Sequence, residues 1–125
     1  MALTNAGRDL IAKAIIGDVY TIFNNANSHL GVGDSIAVFA ATQTDLQGAN
    51  KLRKAMEAAY PSRAVNVLSF RSLFATTEAN FAWNEWGVFN AASGGEMLNR
   101  KVETLGTKTS AQSWQLTVEL TVEAA

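Results

Sequence analysis

The sequence predicts an α+β protein, mainly β, in which an N-terminal helix packs on an antiparallel β-sheet or sandwich that ends in a C-terminal meander. Three stretches carry that prediction. Leu10, Ile11, Ala14 and Ile15 recur at helical spacing behind the capping residues Thr4 and Asn5. Phe81–Asn90 holds four aromatics in ten positions, in a chain that is 9% aromatic. Trp114, Leu116, Val118, Leu120 and Val122 alternate with Gln115, Thr117, Glu119, Thr121 and Glu123, the pattern of an antiparallel strand with one face on a core.

The elements follow in order. A helix is expected over Leu3–Ile16, with Leu3 packing back on it and Gly17-Asp18 ending it. Val19–Phe23 is β-branched and aromatic and is expected as a strand. Asn24–Ser28 is a loop of short polar side chains. His29–Asp34 is short and extended, and Ile36–Ala41 is ambiguous. Thr42–Gly48 reads as a turn into a short helical segment. Lys51–Tyr60 places Leu52, Ala55, Met56 and Ala59 at helical spacing before Pro61, with an extended Arg53–Met56 as the alternative. Val65–Phe74 is a long strand, Thr76–Asn80 a polar turn, and Ala91–Gly95 a hairpin turn with two glycines. Glu96–Glu103 returns as a strand, Leu105–Thr109 turns, and the alternating strand closes the series.

In the aromatic stretch, Phe81, Trp83 and Glu85 share a face by simple alternation. Gly87 then marks a bulge or a close approach of another backbone. A phase shift there predicts that Phe81, Trp83 and Phe89 do not all bury in one core, and that at least one aromatic, Trp86 before the others, faces a neighbouring subunit or a larger particle.

With 125 residues, one domain spanning 1–125 is the economical reading. Only 17% of residues are charged, against roughly 25% in a typical soluble domain. That shortage points to a surface partly covered by neighbours, hence an oligomer or assembly. Ten basic residues meet eleven acidic ones, for a net charge of −1, so no basic face announces a nucleic-acid partner. Cysteine is absent, which removes disulfides, thiol chemistry and thiolate metal sites. No apolar run approaches the roughly 20 residues a membrane helix needs, and the first residues lack the pattern of a signal peptide.

Catalytic chemistry finds no constellation. The single histidine, His29, pairs in principle with Asp34 as a base, but no nucleophile motif accompanies it. Gly31-Val32-Gly33 lacks the rest of a phosphate loop, and Asp9, Asp18, Asp34 and Asp45 are not at metal-ligand spacing. Glu85 and Glu119 are the one carboxylate pair worth testing as a glycosidase couple. The expectation is therefore no enzyme, no cofactor, no metal and no catalytic residue. Lys51, Arg53 and Lys54 read as a solvated basic face. Arg100 and Lys101 point to opposite sides of their strand, one of them toward Glu85 or Glu119 across the sheet. Trp83, Trp86, Phe89, Arg100 and Lys101 are the interface candidates, with a sugar-stacking role for the tryptophans as the lesser alternative.

The order of several short motifs adds a resemblance. Leu3-Thr4-Asn5-Ala6-Gly7 opens the helix, and Leu30-Gly31-Val32-Gly33-Asp34-Ser35 ends the first extended segment. Thr44-Asp45-Leu46, Glu85-Trp86-Gly87-Val88-Phe89, Ser93-Gly94-Gly95-Glu96-Met97-Leu98 and the strand Trp114–Val122 follow. In that order the chain resembles the N-terminal domain of tailed-phage tail-collar and tail-fibre proteins, from Leu3 to Val122. The resemblance implies a virion structural protein assembled in the host cytoplasm: a baseplate, tail-tip or fibre-attachment component. It implies other virion proteins as partners and a homo-oligomer such as a trimer, with neither nucleic acid nor membrane bound. Capsid decoration on the head is the alternative location, and a carbohydrate-binding module is a more distant one.

Overall fold

The computed structural model describes residues 2–124. One helix, α1 (Asn5–Ile16), precedes seven strands: β1 (His29–Gly33), β2 (Lys51–Ala55), β3 (Ser62–Ala64), β4 (Val67–Phe74), β5 (Ala82–Phe89), β6 (Met97–Thr107) and β7 (Trp114–Thr121). The protein is mainly β, as the sequence predicts, with the helix and two antiparallel sheets. The first sheet runs β2-β1-β5-β6 and the second β3-β4-β7.

The expected C-terminal meander is corrected by this topology. Of the last four strands only β5 and β6 are consecutive neighbours; β4 pairs with β7 in the other sheet. The chain crosses between sheets at residues 75–81 and returns at 108–113, links longer than the turns that close hairpins. Lys108, 1% exposed, ties the two crossings together. Its backbone N–H donates to Phe81 O at 3.1 Å, and its ammonium donates to Ala75 O at 2.7 Å and Asn80 Oδ1 at 2.8 Å.

Thr4 starts α1, accepting the Gly7 N–H on its hydroxyl at 2.9 Å, and Gly17 ends it at φ 72°. The same hydroxyl donates to Met97 O at 2.5 Å, which locks the helix start onto β6. Gly7 sits flush on that strand: a Cβ there would overlap the Leu98 carbonyl. Glycine is required here by space, at a position where helix propensity alone favours alanine.

Four local expectations fail. Val19–Phe23 forms no strand, because side chains take its backbone groups before a neighbouring strand does. Asp18 Oδ1 accepts from Val19 N at 2.8 Å, Asn90 donates to Thr21 O at 3.1 Å, and Asn27 donates to Ile22 O at 3.1 Å. Lys51–Tyr60 is not helical; Lys51–Ala55 is β2, paired from His29↔Ala55 to Gly33↔Lys51. Leu52 and Met56 are four residues apart, a spacing that puts two residues on one face of a helix and of a strand alike, so the periodicity did not discriminate. Thr42–Gly48 contains a turn but no helix, and Leu105–Thr107 extends β6 where a turn was expected.

The register of the aromatic strand shifts at Asn84 and again between Val88 and Phe89, while Gly87 itself stays paired with Arg100. Trp83 faces Gly106 and Glu85 faces Val102, so Asn84 stands opposite Glu103–Leu105. This bulge puts Trp83 and Trp86, three residues apart, on the same side, inside the main core with Val88. Phe89 lies on the opposite side with Leu46 and Met97. The aromatics are thus divided between two cores, as the sequence implied. Gly87 answers to close approach: a Cβ there would stand 2.7 Å from Asn99 O. In the main core Trp83 meets Phe74 and Trp114 edge-to-face, at centroid distances of 4.9 and 5.0 Å, a geometry the ring quadrupoles favour.

Candidate functional site

Alternation after the bulge sends Glu85 out of the main core and under the long irregular segment 34–50. There it is wholly buried against Arg100, Nε to Oε1 at 2.7 Å. Gln47 N donates to Oε1 at 2.9 Å, and Gly48 N and Ser35 N donate to Oε2 at 2.8 and 3.3 Å. Four donors fill the acceptor capacity of one carboxylate. Arg100 Nη1 in turn donates to Ala37 O at 3.0 Å and Gln43 Oε1 at 3.2 Å. Gly33 leaves the space: a side chain there would overlap the Glu85 carboxylate. This cluster is a fastening that holds residues 34–50 to the sheet. Of the expected pairings of Arg100 or Lys101 with Glu85 or Glu119, the one between Arg100 and Glu85 is present.

The proposed glycosidase couple is not assembled. Glu119 lies on β7, opposite Ser69 in the second sheet, while Glu85 belongs to the first. His29 and Asp34 lie at and just beyond opposite ends of β1 and are not brought together. The His29 ring Nδ1 is 2.9 Å from Asn27 O. Asn50 bonds the Asp34 carboxylate through its side chain at 2.8 Å and its backbone at 3.2 Å. Those bonds, the side-chain one foremost, hold the Asp34 carboxyl below the usual range. Among the described residues no group of three or more His, Cys, Asp or Glu is gathered as a metal site. No helix is long and apolar enough to cross a membrane.

The basic cluster is paired within the chain, which corrects the solvated-face reading. Lys51 and Arg53 both meet Asp45, at 3.0 and 3.3 Å, and Lys54 meets Glu78 at 2.7 Å. Arg53 also lies over the Phe89 ring, 3.7 Å from its centroid, and donates to Ala91 O and Gly94 O. Burial pushes the Asp45 carboxyl up, but the bonds from Lys51, the Leu46 N–H and Arg53 outweigh it and hold it low.

Of the interface candidates, Trp83, Phe89 and Arg100 are interior and offer a partner no surface in this conformation. Trp86 is 8% exposed and its indole donates to Glu103 Oε2 at 3.1 Å. The expectation that Trp86 faces outward is corrected, because the bulge at Asn84 turns it into the core. Lys101 is exposed, 3.6 Å from Glu103.

The open surface lies elsewhere. On α1 only Gly7 and Leu10 are buried, while Ile15 and Ile16 are each 79% exposed and Ile11 is part-open. A groove of about 480 Å³ runs beside them, between Leu10, Ile11 and Ala14 of the helix and Leu68, Phe70, Leu120 and Val122 of the second sheet. A second hollow, about 340 Å³, is bordered by Trp83, Leu105, Trp114 and Leu116 near the start of β7. The amphipathic spacing of α1 was legible in the sequence. That the sheet beneath leaves the outer part of its stripe uncovered was not, since no local pattern reports the distance between elements remote in sequence.

The strand edges differ in the same way. At β6, the segment Ala2–Thr4 covers residues 98–100: Thr4 N donates to Leu98 O, Arg100 N to Ala2 O, and Leu3 bridges Asn99. β2 is five residues with two lysines, and β3 is three residues. β7 is eight residues long, pairs with β4 on one side, and has no strand on the other among the described residues.

No family model, no curated protein and no solved structure matches this chain.

Proposed function

We propose that this chain is a structural protein of a tailed-phage virion, in the baseplate, tail tip or fibre attachment, and that it acts through protein–protein contacts. The observation that carries the reading is the open aliphatic side of α1 and the groove beside it, in a chain poor in charge. Exposed apolar surface of this kind is what interaction sites present. The motifs that carry the phage resemblance also have physical work in this fold. Thr4 and Gly7 seat the helix on β6, Glu85 fastens residues 34–50, and Gly87 admits the β6 backbone.

Mass-spectrometric copy counting on purified particles tests the proposal. Tens of copies or fewer per particle are expected for a tail component. Hundreds would move the protein to the head, as a decoration protein, and absence from particles would overturn the virion reading.

A further inference from the structure

We propose that β7 is a pairing edge for a second copy of this chain, joined antiparallel about a two-fold axis so that the second sheets of the two copies continue as one. The proposal rests on reading the chain as a protein–protein module, and it names the partner and the surface.

The backbone sets the edge. Val122 N donates to Asn66 O at 2.9 Å, across from β4. Backbone groups alternate sides along a strand, so the even-numbered residues of β7 bond to β4. The N–H and C=O groups of Gln115, Thr117, Glu119 and Thr121 therefore point away from the sheet. The register with β4 is unbroken from Phe74↔Trp114 to Val67↔Thr121. β7 contains no proline, lysine, glycine or bulge, the devices by which proteins ordinarily keep an edge from pairing. The β6 edge is covered over residues 98–100 and beyond them carries Lys101 and the irregularity at Glu103–Leu105, while β2 has two lysines and β3 is three residues long.

Self-pairing suits this strand for two reasons. Its inner face, Trp114, Leu116, Val118 and Leu120, is apolar, and the two hollows lie near its two ends. An antiparallel second copy brings its Trp114 end beside the hollow at Leu120 and Val122, and its Leu120 end beside the hollow at Trp114 and Leu116. The same exchange occurs on both copies, as an isologous contact requires. Charge sets no barrier. Glu119 is the single charged residue of β7, and an axis at Thr117 places it opposite Gln115 of the other copy. Like charges then never stand directly opposed.

Sedimentation equilibrium of the purified chain, with Thr117→Pro beside it, is the test. Proline at 117 removes an outward N–H and leaves the β4–β7 backbone bonds in place, with loss of the exposed Arg71 Nε to Thr117 Oγ1 bond. The expected result is a dimer that Thr117→Pro converts to monomer with an unchanged circular dichroism spectrum. A wild-type monomer at the highest soluble concentration, a trimer, or a dimer that a folded Thr117→Pro variant retains would each overturn the proposal. If the proline variant fails to fold, Thr117→Cys decides. The chain has no cysteine of its own, and facing residues of a hydrogen-bonded antiparallel pair lie about 5.5 Å apart at Cα, within disulfide reach. A covalent dimer on oxidation supports the pairing, and none overturns it. The particle assay fails separately: a monomeric chain found in particles removes the β7 pairing alone, and a β7 dimer absent from particles removes the virion reading alone.

Discussion

Two ends of this molecule solve opposite problems. Around Glu85 and Arg100 charge is buried, and almost every polar atom has a partner on a named residue. Between α1 and β7 apolar surface is left in the open, and the facing elements do not close over it. The first end tolerates little change, because losing one partner strands the other in a medium that cannot solvate it. The second tolerates much within the isolated chain, because its side chains already face water. The residues that matter most for folding are thereby different ones from those available for contacts.

Glu85→Gln gives the largest expected effect and breaks the first half of the comparison. It leaves Arg100 charged and buried without its counter-ion, at a cost of about 3–5 kcal/mol, read as a lower midpoint in urea unfolding. A loss under about 1 kcal/mol, the size of one ordinary hydrogen bond, would mean that residues 34–50 hold themselves. Gly7→Ala comes next. The added methyl must push α1 off the Leu98 carbonyl, and overpacking of this kind costs about 1–3 kcal/mol. An unchanged thermal midpoint would show the helix to be loosely seated.

The third prediction concerns acid. Asp34 and Asp45 are both held below the usual carboxyl range by the bonds they accept. A carboxyl lowered by folding contributes stability that is complete above its unfolded pKa, about 3.9, and lost as pH falls through its lower folded value. The protection factors of amides in residues 34–50, which are exchange rates corrected for the intrinsic rate at each pH, should therefore fall below about pH 4 and stay flat between about pH 5 and 7. Loosening at near-neutral pH would assign the effect to other groups. The smallest effect belongs to the open face. Ile15→Ser, at a residue 79% exposed, should move stability by no more than about 0.5 kcal/mol. A larger loss in the isolated chain would mean that this face is covered in solution.

Local chemistry was legible and relations between distant segments were not. The helix cap at Thr4 and its stop at Gly17 follow from which residues accept a free N–H or a left-handed backbone. The alternation of β7 follows from period two, and the Glu85–Arg100 contact followed from expecting opposite charges across a sheet. The bulge at Asn84 was misplaced to Gly87, since glycine is the visible signal and the extra residues belong to the partner strand, Glu103–Leu105. β2 was hidden by a spacing common to helix and strand. Lys108 gave no signal as a buried residue, because what receives its ammonium is two backbone and side-chain oxygens more than twenty residues upstream. Trp86 read as an outward residue only because the phase was counted from the wrong bulge.

The hydroxyl of Thr4 has a consequence for the order of events in folding. It caps α1 and reaches Met97 O, 93 residues along the chain. The helix is synthesised before β6, yet its seat exists only after that strand has been made. Contacts of such sequence separation are slow to form, since the loop between them must close before they contribute. Meanwhile the isoleucines of α1 are in water with nothing beneath them. Pulse-labelled hydrogen exchange during refolding should show the β5–β6 hairpin protected before α1; the reverse order would make the helix an independent early structure. A helix made before its strand must wait for the contact that seats it.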